Sequence, residues 1–535
     1  MHRAIPPPDI VREICKQLFP APKWGEEPFC VVPTRSIKST LLSLALTCQA
    51  FSEPALDRLW LALDDLTPLF QLLPGFQAKG GYLNSQLHPA TDLQAFNRYA
   101  KRIHIYLSHP TQKVLSTTTH FQVFQARSYE PVLPRLRYLA LEGKGKPELL
   151  QFICPSLIAL DIKVGYKNSN SPESWAIINA IPEMASNFRY LEIGTDLALP
   201  EGCLDSISKM ENLEQLTFRT SKYTYTELDL DSGFLRKLSN LQKLTLLRID
   251  GNLIMQDDSP KQSGLPFFPE LRKLEIFCSV SDMTMSQINN FFGMGTFSAL
   301  RHLGLRLEHK SRANLLEENP WPAFFKTLQE STTSVFSSLL LNVPLLSRKT
   351  ASISDVPGLL QLELLELEVS NDVFSKLPHS DFILMVDAWP KLRKLCLMTD
   401  TPTVNFSTLL YLAQHLPDLC TLSIGIVVAG CPAFNDVPIL THQLQHLSLR
   451  MSGLSGKQPV HFAQLVDTIF PNLRTYNFRS GSSLSVSHHF ETQVPQILKA
   501  LREARSAQME RLAFATSSDP PLSIRVHRQL LESDI

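Results

Sequence analysis

The chain has 535 residues, with 51 Lys or Arg against 51 Asp or Glu, so its formal net charge at pH 7 is zero. This balance argues against a protein that binds nucleic acid over its whole surface. No run of about 18 apolar residues is long enough for a membrane helix, and prolines interrupt the N-terminal segment where a secretory signal would lie. We therefore expect an intracellular protein, cytoplasmic and/or nuclear, with no nucleic-acid or membrane partner.

The cysteines are odd in number and scattered along the chain, and none lies in a Cys-x-x-Cys pair. This spacing fits neither a disulfide framework nor a zinc ribbon. We expect a reducing compartment in which the thiols remain free.

The segment PPPDIVREICKQL, which begins at Pro6, predicts a short amphipathic helix. Ile10, Ile14 and Leu18 recur every four residues and so share one face, while Pro8 suits the first turn. The following residues, 19–39, contain four prolines and predict an inserted loop.

Two more short helices are predicted, one in LLSLALTCQAF with Leu44 on its apolar face, and one in SEPALDRLW. In the last segment Ser52 has the chemistry of a helix N-cap, and Leu56, Leu59 and Trp60 share an apolar face. Three short helices bury little surface among themselves. We expect them to complete their core against a partner or against the structure that follows.

A repeated pattern Φ-x-x-Φ-x-Φ, where Φ is apolar, organises most of the remaining chain. Alternating apolar residues predict a short strand in each copy, and stretches such as FSTLLYLAQHL between copies have helical spacing. Successive copies begin 21 to 36 residues apart. The copies begin at residues 136, 157, 188, 213, 241, 271, 300, 336, 362, 392, 419, 444 and 473, with weaker candidates at 100 and 509.

These copies resemble leucine-rich repeats of the long, helix-containing kind over about residues 96–516. The resemblance implies an α/β fold, a leucine-rich-repeat solenoid (horseshoe) in which neighbouring units share one core. The alternative is an ordinary α/β domain of unrelated strands and helices. We predict a helical module at 1–75, a linker at 76–95, and the solenoid with a C-terminal cap at 96–535.

Residues 5–60 resemble an F-box, in particular those of fungal leucine-rich-repeat proteins, in the order Pro-Asp start, apolar helix, LALTCQAF helix and closing Leu-Trp. The resemblance implies a substrate receptor that binds the Skp adaptor of a cullin ubiquitin ligase through its N-terminal helices and an unidentified target through its repeats. The residues implied in adaptor binding are Pro8, Ile10, Ile14, Leu18, Leu44, Leu56, Leu59 and Trp60.

The alternative function is a repeat scaffold whose N-terminal helices only cap the solenoid, with no ubiquitin-ligase role. An enzyme is the third class, and its signatures fail. The DLDSG segment from Asp229 lacks the ligands of a calcium loop, and HQLQH, with His442 and His446, has no further metal ligand nearby. We therefore predict no catalytic residue, metal or cofactor.

Target binding is predicted on the concave face of the solenoid, which carries the side chains between the inward-facing residues of each strand. Blocks of alternating charge on this face favour a protein ligand. Arg219, Lys243, Lys273 and Arg306 should stack as a basic ladder on consecutive strands. The predicted target-binding residues are Tyr138, Asp161, Tyr190, Glu192, Arg219, Lys243, Lys273, His302, Arg306, Lys394 and Arg450.

Overall fold

A computed structural model describes most of the chain and divides it into two compact units. The first unit comprises residues 1–279 and 286–300, and the second comprises 280–285 and 301–535. Within the described residues, no helix is long and apolar enough to cross a membrane. The described residues are 7–20, 32–84, 87–89, 91–108, 115–142, 147–164, 172–195, 199–219, 229–254, 266–280, 284–309, 319–343, 351–370, 373–374, 377–397, 404–428, 430–452, 459–480 and 485–516.

The first unit begins with three helices, α1 (Pro8–Leu18), α2 (Arg35–Thr47) and α3 (Gln49–Leu59). The second helix starts inside the predicted loop 19–39, because the Thr34 hydroxyl accepts a hydrogen bond from the Ile37 amide and caps it. The predicted cap at Ser52 is wrong, since α3 is already helical at Gln49. Pro54 therefore lies inside α3 rather than in its first turn.

Most strands of the first unit form a parallel sheet in the order β1, β4, β5, β6, β7, β8, β10, β12, and the others form two small pairs, β2 with β3 and β9 with β11. The strands are β1 Ala62–Leu63, β2 Phe76–Gln77, β3 Tyr82–Leu83, β4 Ile105–Ser108, β5 Tyr138–Glu142, β6 Ala159–Val164, β7 Tyr190–Thr195, β8 Gln215–Arg219, β9 Asp229–Asp231, β10 Leu246–Asp250, β11 Asn252–Ile254 and β12 Lys273–Val280. The helices are α4 Thr67–Phe70, α5 Leu93–Ala100, α6 Thr117–Ala126, α7 Pro172–Met184, α8 Glu201–Ser208, α9 Ser232–Ser239 and α10 Thr284–Phe292, with a 3-10 turn at Pro147–Phe152.

The second unit contains a parallel sheet in which the strands follow their order in the chain. These strands are β13 His302–His309, β14 Ser338–Asn342, β15 Glu366–Val369, β16 Lys394–Leu397, β17 Thr421–Val427, β18 His446–Ser452 and β19 Thr475–Ser480. The helices are α11 Trp321–Ser331, α12 Pro357–Leu360, α13 His379–Ala388, α14 Phe406–His415, α15 Pro459–Ile469 and α16 Ser485–Thr516, with 3-10 turns at Ile353–Asp355 and Phe434–Asp436.

The apolar alternation of the repeats builds the core of each unit. Leu139 pairs with Leu160 in the first unit and Leu395 with Leu422 in the second, and all four side chains are buried. A single strand-plus-helix repeat cannot bury its own apolar face, so successive repeats stack and share one core. The predicted α/β class and parallel repeat architecture are confirmed.

The repeat boundary predicted at Leu241 is wrong by three residues. Leu246 pairs with Lys273, so Leu247 takes the buried position beside Leu274. The pattern therefore begins at Leu244. The segment LQKLTLLRI has leucines at enough positions to satisfy both frames, and strand pairing selects the frame that also buries Ile249.

Three further repeat boundaries also differ from prediction. In β4, Tyr106 pairs with Leu139, which moves the copy predicted at Ala100 to Ile103. In β15, Leu367 pairs with Leu339, which moves the start from 362 to 364. The candidate at Met509 is not a strand, because that residue lies within α16.

The sheet begins earlier than the sequence indicated. Strand β1 follows α3 directly and pairs with β4, so the first strand lies within the segment predicted as a separate helical module. The predicted linker, 76–95, contains the antiparallel pair β2 and β3. Two-residue strands carry too little alternation to be recognised from sequence.

Candidate protein-interaction surfaces

The N-terminal helices lie on the start of the first unit's sheet. Phe19 and Leu41 form a buried cluster with Ala62, Ile105, Tyr138 and Ala159, which are sheet residues. The neighbouring residues Tyr106, Leu139 and Leu160, whose side chains point to the opposite face, are buried too. The first strands are therefore covered on both faces. The helices cover the beginning of the face that carries the predicted target-binding residues, and this whole face is called the open face below.

This packing accounts for several of the predicted adaptor-binding residues. Leu18 and Leu59 are partly buried against the same cluster, and Leu44 and Leu56 are half-buried. The Trp60 ring is half-buried with its centroid 4.7 Å from that of Tyr99. These five side chains are engaged within the chain, so their apolar patterning is explained without a partner.

Two pairs of apolar residues on α1 and α2 remain exposed. Ile10 and Ile14 are 52% and 42% exposed, and Leu42 and Leu46 are 48% and 79% exposed. Each pair is four residues apart and therefore shares one face of its helix. Pro8 is exposed at the start of α1. The sequence pattern did not single out Leu42 and Leu46. The signal that could have done so is that the four leucines of α2 are too many to share one buried face.

Ion pairs fix α3 to α5. Arg102 bonds to Glu53 and Asp57 of α3, and Arg98 lies 2.5 Å from the Glu53 carboxylate. The hydrogen bond from Arg102 lowers the pKa of Glu53 below its usual range, and the Arg98 hydrogen bond acts in the same direction. The Arg102 side chain is 9% exposed whereas the Glu53 side chain is 55% exposed, so this contact is only partly shielded from water.

On the open face of the first unit, four predicted target-binding residues form one polar cluster. The Arg219 guanidinium lies 3.0 Å from the Glu192 carboxylate, and the Tyr190 hydroxyl donates to Glu214 over 3.3 Å. Asp161 pairs with Glu192 in register and lies 3.8 Å from Lys163. The prediction that Tyr138 is available to a target is wrong, because the N-terminal helices leave it 5% exposed.

The Asp161 carboxylate of this cluster is largely buried and incompletely hydrogen-bonded. Burial raises the pKa of its carboxyl, and the charges of Lys163 and Arg219 only partly oppose that effect. Its Oδ1 atom is buried and has no hydrogen-bond partner among the described residues. A donor on a bound protein segment would relieve this deficit.

The predicted basic ladder is not formed. Lys243 lies before β10, where its ammonium donates to the Asn212 side chain over 2.5 Å. Lys273 lies beside Leu246 and forms a 2.7 Å ion pair with Glu275, which also lies 3.6 Å from Arg248. The error follows from the three-residue frame shift, which exchanges the two faces of the strand.

The open face of the second unit carries isolated ion pairs and single charged residues. Lys394 lies 2.5 Å from Glu368; burial lowers the pKa of Lys394, but Glu368, Cys396 and Glu366 together raise it above its usual value. Arg306 lies 3.3 Å from Glu308. His302 is exposed and Arg450 is half-buried. In both units this face therefore offers mixed charge rather than a single sign.

Residues of the two motifs that resemble a calcium loop and a histidine metal site have structural roles. Asp231 caps α9 by accepting a 2.7 Å hydrogen bond from the Phe234 amide. His442 is buried, with Nε2 2.8 Å from the Leu416 carbonyl oxygen and Nδ1 accepting from the Leu444 amide. No group of three or more metal-ligating side chains occurs within the described ranges.

No protein-family model matches this chain, and no curated protein matches it. Among solved structures, the chain is similar to one in the yeast Rad7 and Elc1 complex, with 11% identity, a TM-score of 0.32, and coverage of 82% of this chain and 92% of that one. It is also similar to the leucine-rich repeat-containing protein LegL7 from Legionella pneumophila, with 12% identity, a TM-score of 0.31, and coverage of 68% and 98%. TM-scores this low establish neither a shared fold nor a shared partner.

Proposed function

We propose that this chain is a non-catalytic receptor whose repeats hold a target protein while its N-terminal helices bind the Skp adaptor of a cullin ubiquitin ligase. The observation that supports adaptor binding most directly is that Ile10 and Ile14 on α1, and Leu42 and Leu46 on α2, are exposed apolar pairs. Exposed apolar residues that share a helix face are typical of protein-binding surfaces.

The opposite side of these helices supports the same proposal. Phe19 and Leu41 are buried with sheet residues, and Glu53 and Asp57 on α3 bind Arg102, which follows α5. The helices are therefore held in place before any partner arrives. A preorganised surface loses less conformational entropy when it binds.

Target binding is proposed for the open face beyond the part that the helices cover. Asp161, Glu192 and Arg219 present two acids and a base within neighbouring strands, and Lys394 and Glu368 present one base and one acid in the second unit. Such alternation favours a partner with a complementary pattern of both charges.

A second candidate is an interaction scaffold in which the helices serve only to complete the core. The buried cluster around Phe19 favours it, because a terminal unit of a repeat protein must cover apolar surface. The two candidates differ in what the four exposed apolar residues do.

The deciding experiment is a pull-down of the purified adaptor by the full-length chain. We expect Ile10→Ser with Ile14→Ser to weaken adaptor binding about 30-fold or more, since a central apolar contact is worth about 2 kcal/mol. The thermal midpoint should change little, because the side chains are exposed. The matched control is Leu384→Ser with Val460→Ser, which removes two apolar residues of comparable exposure from helices of the second unit. An adaptor that does not bind the unmutated chain would contradict the receptor and favour the scaffold.

A further inference from the structure

A basic groove of about 520 Å³ lies in the first unit among α1, α3, α5 and the segments that precede β4 and β5. This volume is within the range of small-molecule sites, about 300–1,000 Å³. None of the four exposed apolar residues proposed for adaptor binding lines it. The groove is therefore distinct from the surfaces discussed above.

The lining of the groove is strongly positive. Seven Lys or Arg side chains line it together with Glu53 and Asp57, an excess of five positive charges that falls to three when Asp9 and Glu13, the ion-pair partners of Arg12 and Lys16, are counted. Besides Arg102, the cations are Arg12, Lys16, Arg58, Arg98, Lys101 and Arg135. The chain as a whole is neutral, so this concentration of charge is local.

The two acids in the groove are already neutralised. Glu53 binds both Arg98 and Arg102, and Asp57 binds Arg102. Arg12 and Lys16 pair with carboxylates of their own helix at 3.4 Å, and such exposed pairs contribute little.

Three cations lack a direct ion-pair partner among the described residues, although the charge of Glu13 interacts with Arg58 at longer range. Arg58, Lys101 and Arg135 form no ion pair with any residue in the described ranges. They come from three different segments, namely α3, the end of α5 and the chain before β5. Like charges brought together by packing repel each other, and an anion in the groove would remove that cost.

Two buried groups in the groove have unfavourable surroundings: one lacks a hydrogen-bond acceptor among the described residues, and the other lies close to positive charges. The Nε atom of Arg102 is buried without a hydrogen-bond partner among the described residues. Burial lowers the pKa of His104, and the positive charges of Arg137 and Arg135 lower it further, with Asp57 acting in the opposite direction. The positive charges that oppose a proton on His104 would favour an anion, whereas its burial disfavours charge of either sign.

We propose that this groove binds a compact anion that carries several phosphate groups. Phosphate groups reach charges of about −1.5 to −2 each, so two are enough to neutralise the three cations that have no ion-pair partner among the described residues, within a small volume. Arginine also presents paired N–H groups that match phosphate oxygens. Ion pairs with Glu53 and Asp57 hold Arg98 and Arg102 in place before the anion binds.

The test is calorimetric titration of the full-length chain with inorganic tripolyphosphate in about 150 mM salt, where loose surface attraction is screened. We expect Lys101→Glu with Arg135→Glu to weaken binding about ten-fold or more. The control, Lys79→Glu with Lys209→Glu, reverses two exposed lysines of the same unit that form no ion pair with any described residue, and should bind like the parent chain. If the double reversal fails to fold, Lys101→Gln with Arg135→Gln replaces it.

Two further ligands test whether the groove prefers phosphate to carboxylate and whether it recognises a phosphorylated protein. Citrate carries three carboxylates and should bind at least about ten-fold more weakly than tripolyphosphate. A doubly phosphorylated peptide that binds when tripolyphosphate does not would overturn the proposal and assign the groove to a protein partner. Absence of tripolyphosphate binding, equal loss in the control variant, or equal affinity for citrate would each overturn it as well.

Discussion

Leu246 lies beside Lys273 in the paired strands β10 and β12, at the position that the repeat pattern assigned to Lys243. This one register decides which face each side chain of that repeat occupies. Leu247 and Ile249 point into the core, and Arg248 reaches Glu275 on the open face. A shift of three residues would exchange the two faces.

The register predicts a difference between two adjacent leucines. Leu247→Ala should destabilise the first unit by about 2–5 kcal/mol, because it removes a fully buried side chain. Leu246→Ala should cost less, since Leu246 is half-buried on the open face. Urea unfolding and amide hydrogen exchange of β10 measure both. Equal losses would contradict the register, and a larger loss from Leu246 would restore the frame predicted from sequence.

The buried cluster under the N-terminal helices predicts that these helices stabilise the sheet. Phe19→Ala should cost about 3–5 kcal/mol and reduce the hydrogen-exchange protection of β4 and β5. The control is Phe121→Ala, where the ring is half exposed and less should be lost. If Phe19→Ala leaves β4 and β5 equally protected, the helices are an independent module.

The environment of Asp161 predicts a pH-dependent stability. Its folded pKa is raised by burial, so the native state binds the proton more tightly than the unfolded state and loses stability as pH rises through that pKa. Asp161→Asn removes this loss. We expect the variant to have a higher thermal midpoint than the parent at pH 7, with the difference shrinking toward about pH 3, below the unfolded value. A variant less stable than the parent at pH 7 would mean that Lys163 and Arg219 outweigh the burial.

The thiols should differ widely in reactivity. Burial raises the pKa of Cys203 to about 12, and burial with the nearby Asp250 charge raises the pKa of Cys278 to about 12. The reactive thiolate of Cys203 is then about one part in 10⁴ at pH 8. Cys48 is exposed. Iodoacetamide labelling followed by peptide mass spectrometry should modify Cys48 within minutes and the two buried thiols only after denaturation. Early modification of Cys203 would show that the first unit opens locally.

The alternation of apolar residues was enough to predict a parallel α/β repeat fold and the approximate position of its strands. Leu139, Leu274 and Leu395 all occupy the buried positions that the pattern gave them. The reason is physical, because a strand of period two and a helix of period 3.6 leave different apolar spacings in the sequence itself. The three N-terminal helices were predicted on the same grounds.

Tertiary packing alone decided the features that depend on distant residues. The sequence contains no local signal that Phe19 and Leu41 will cover Tyr138, or that Arg102 will draw Glu53 and Asp57 toward α5. It also left two equally apolar frames open at Leu241 and Leu244, and pairing with β8 and β12 chose between them. The apolar pattern determines which helices and strands form. The elements that pack against each face decide whether that face is buried and whether its charges are neutralised.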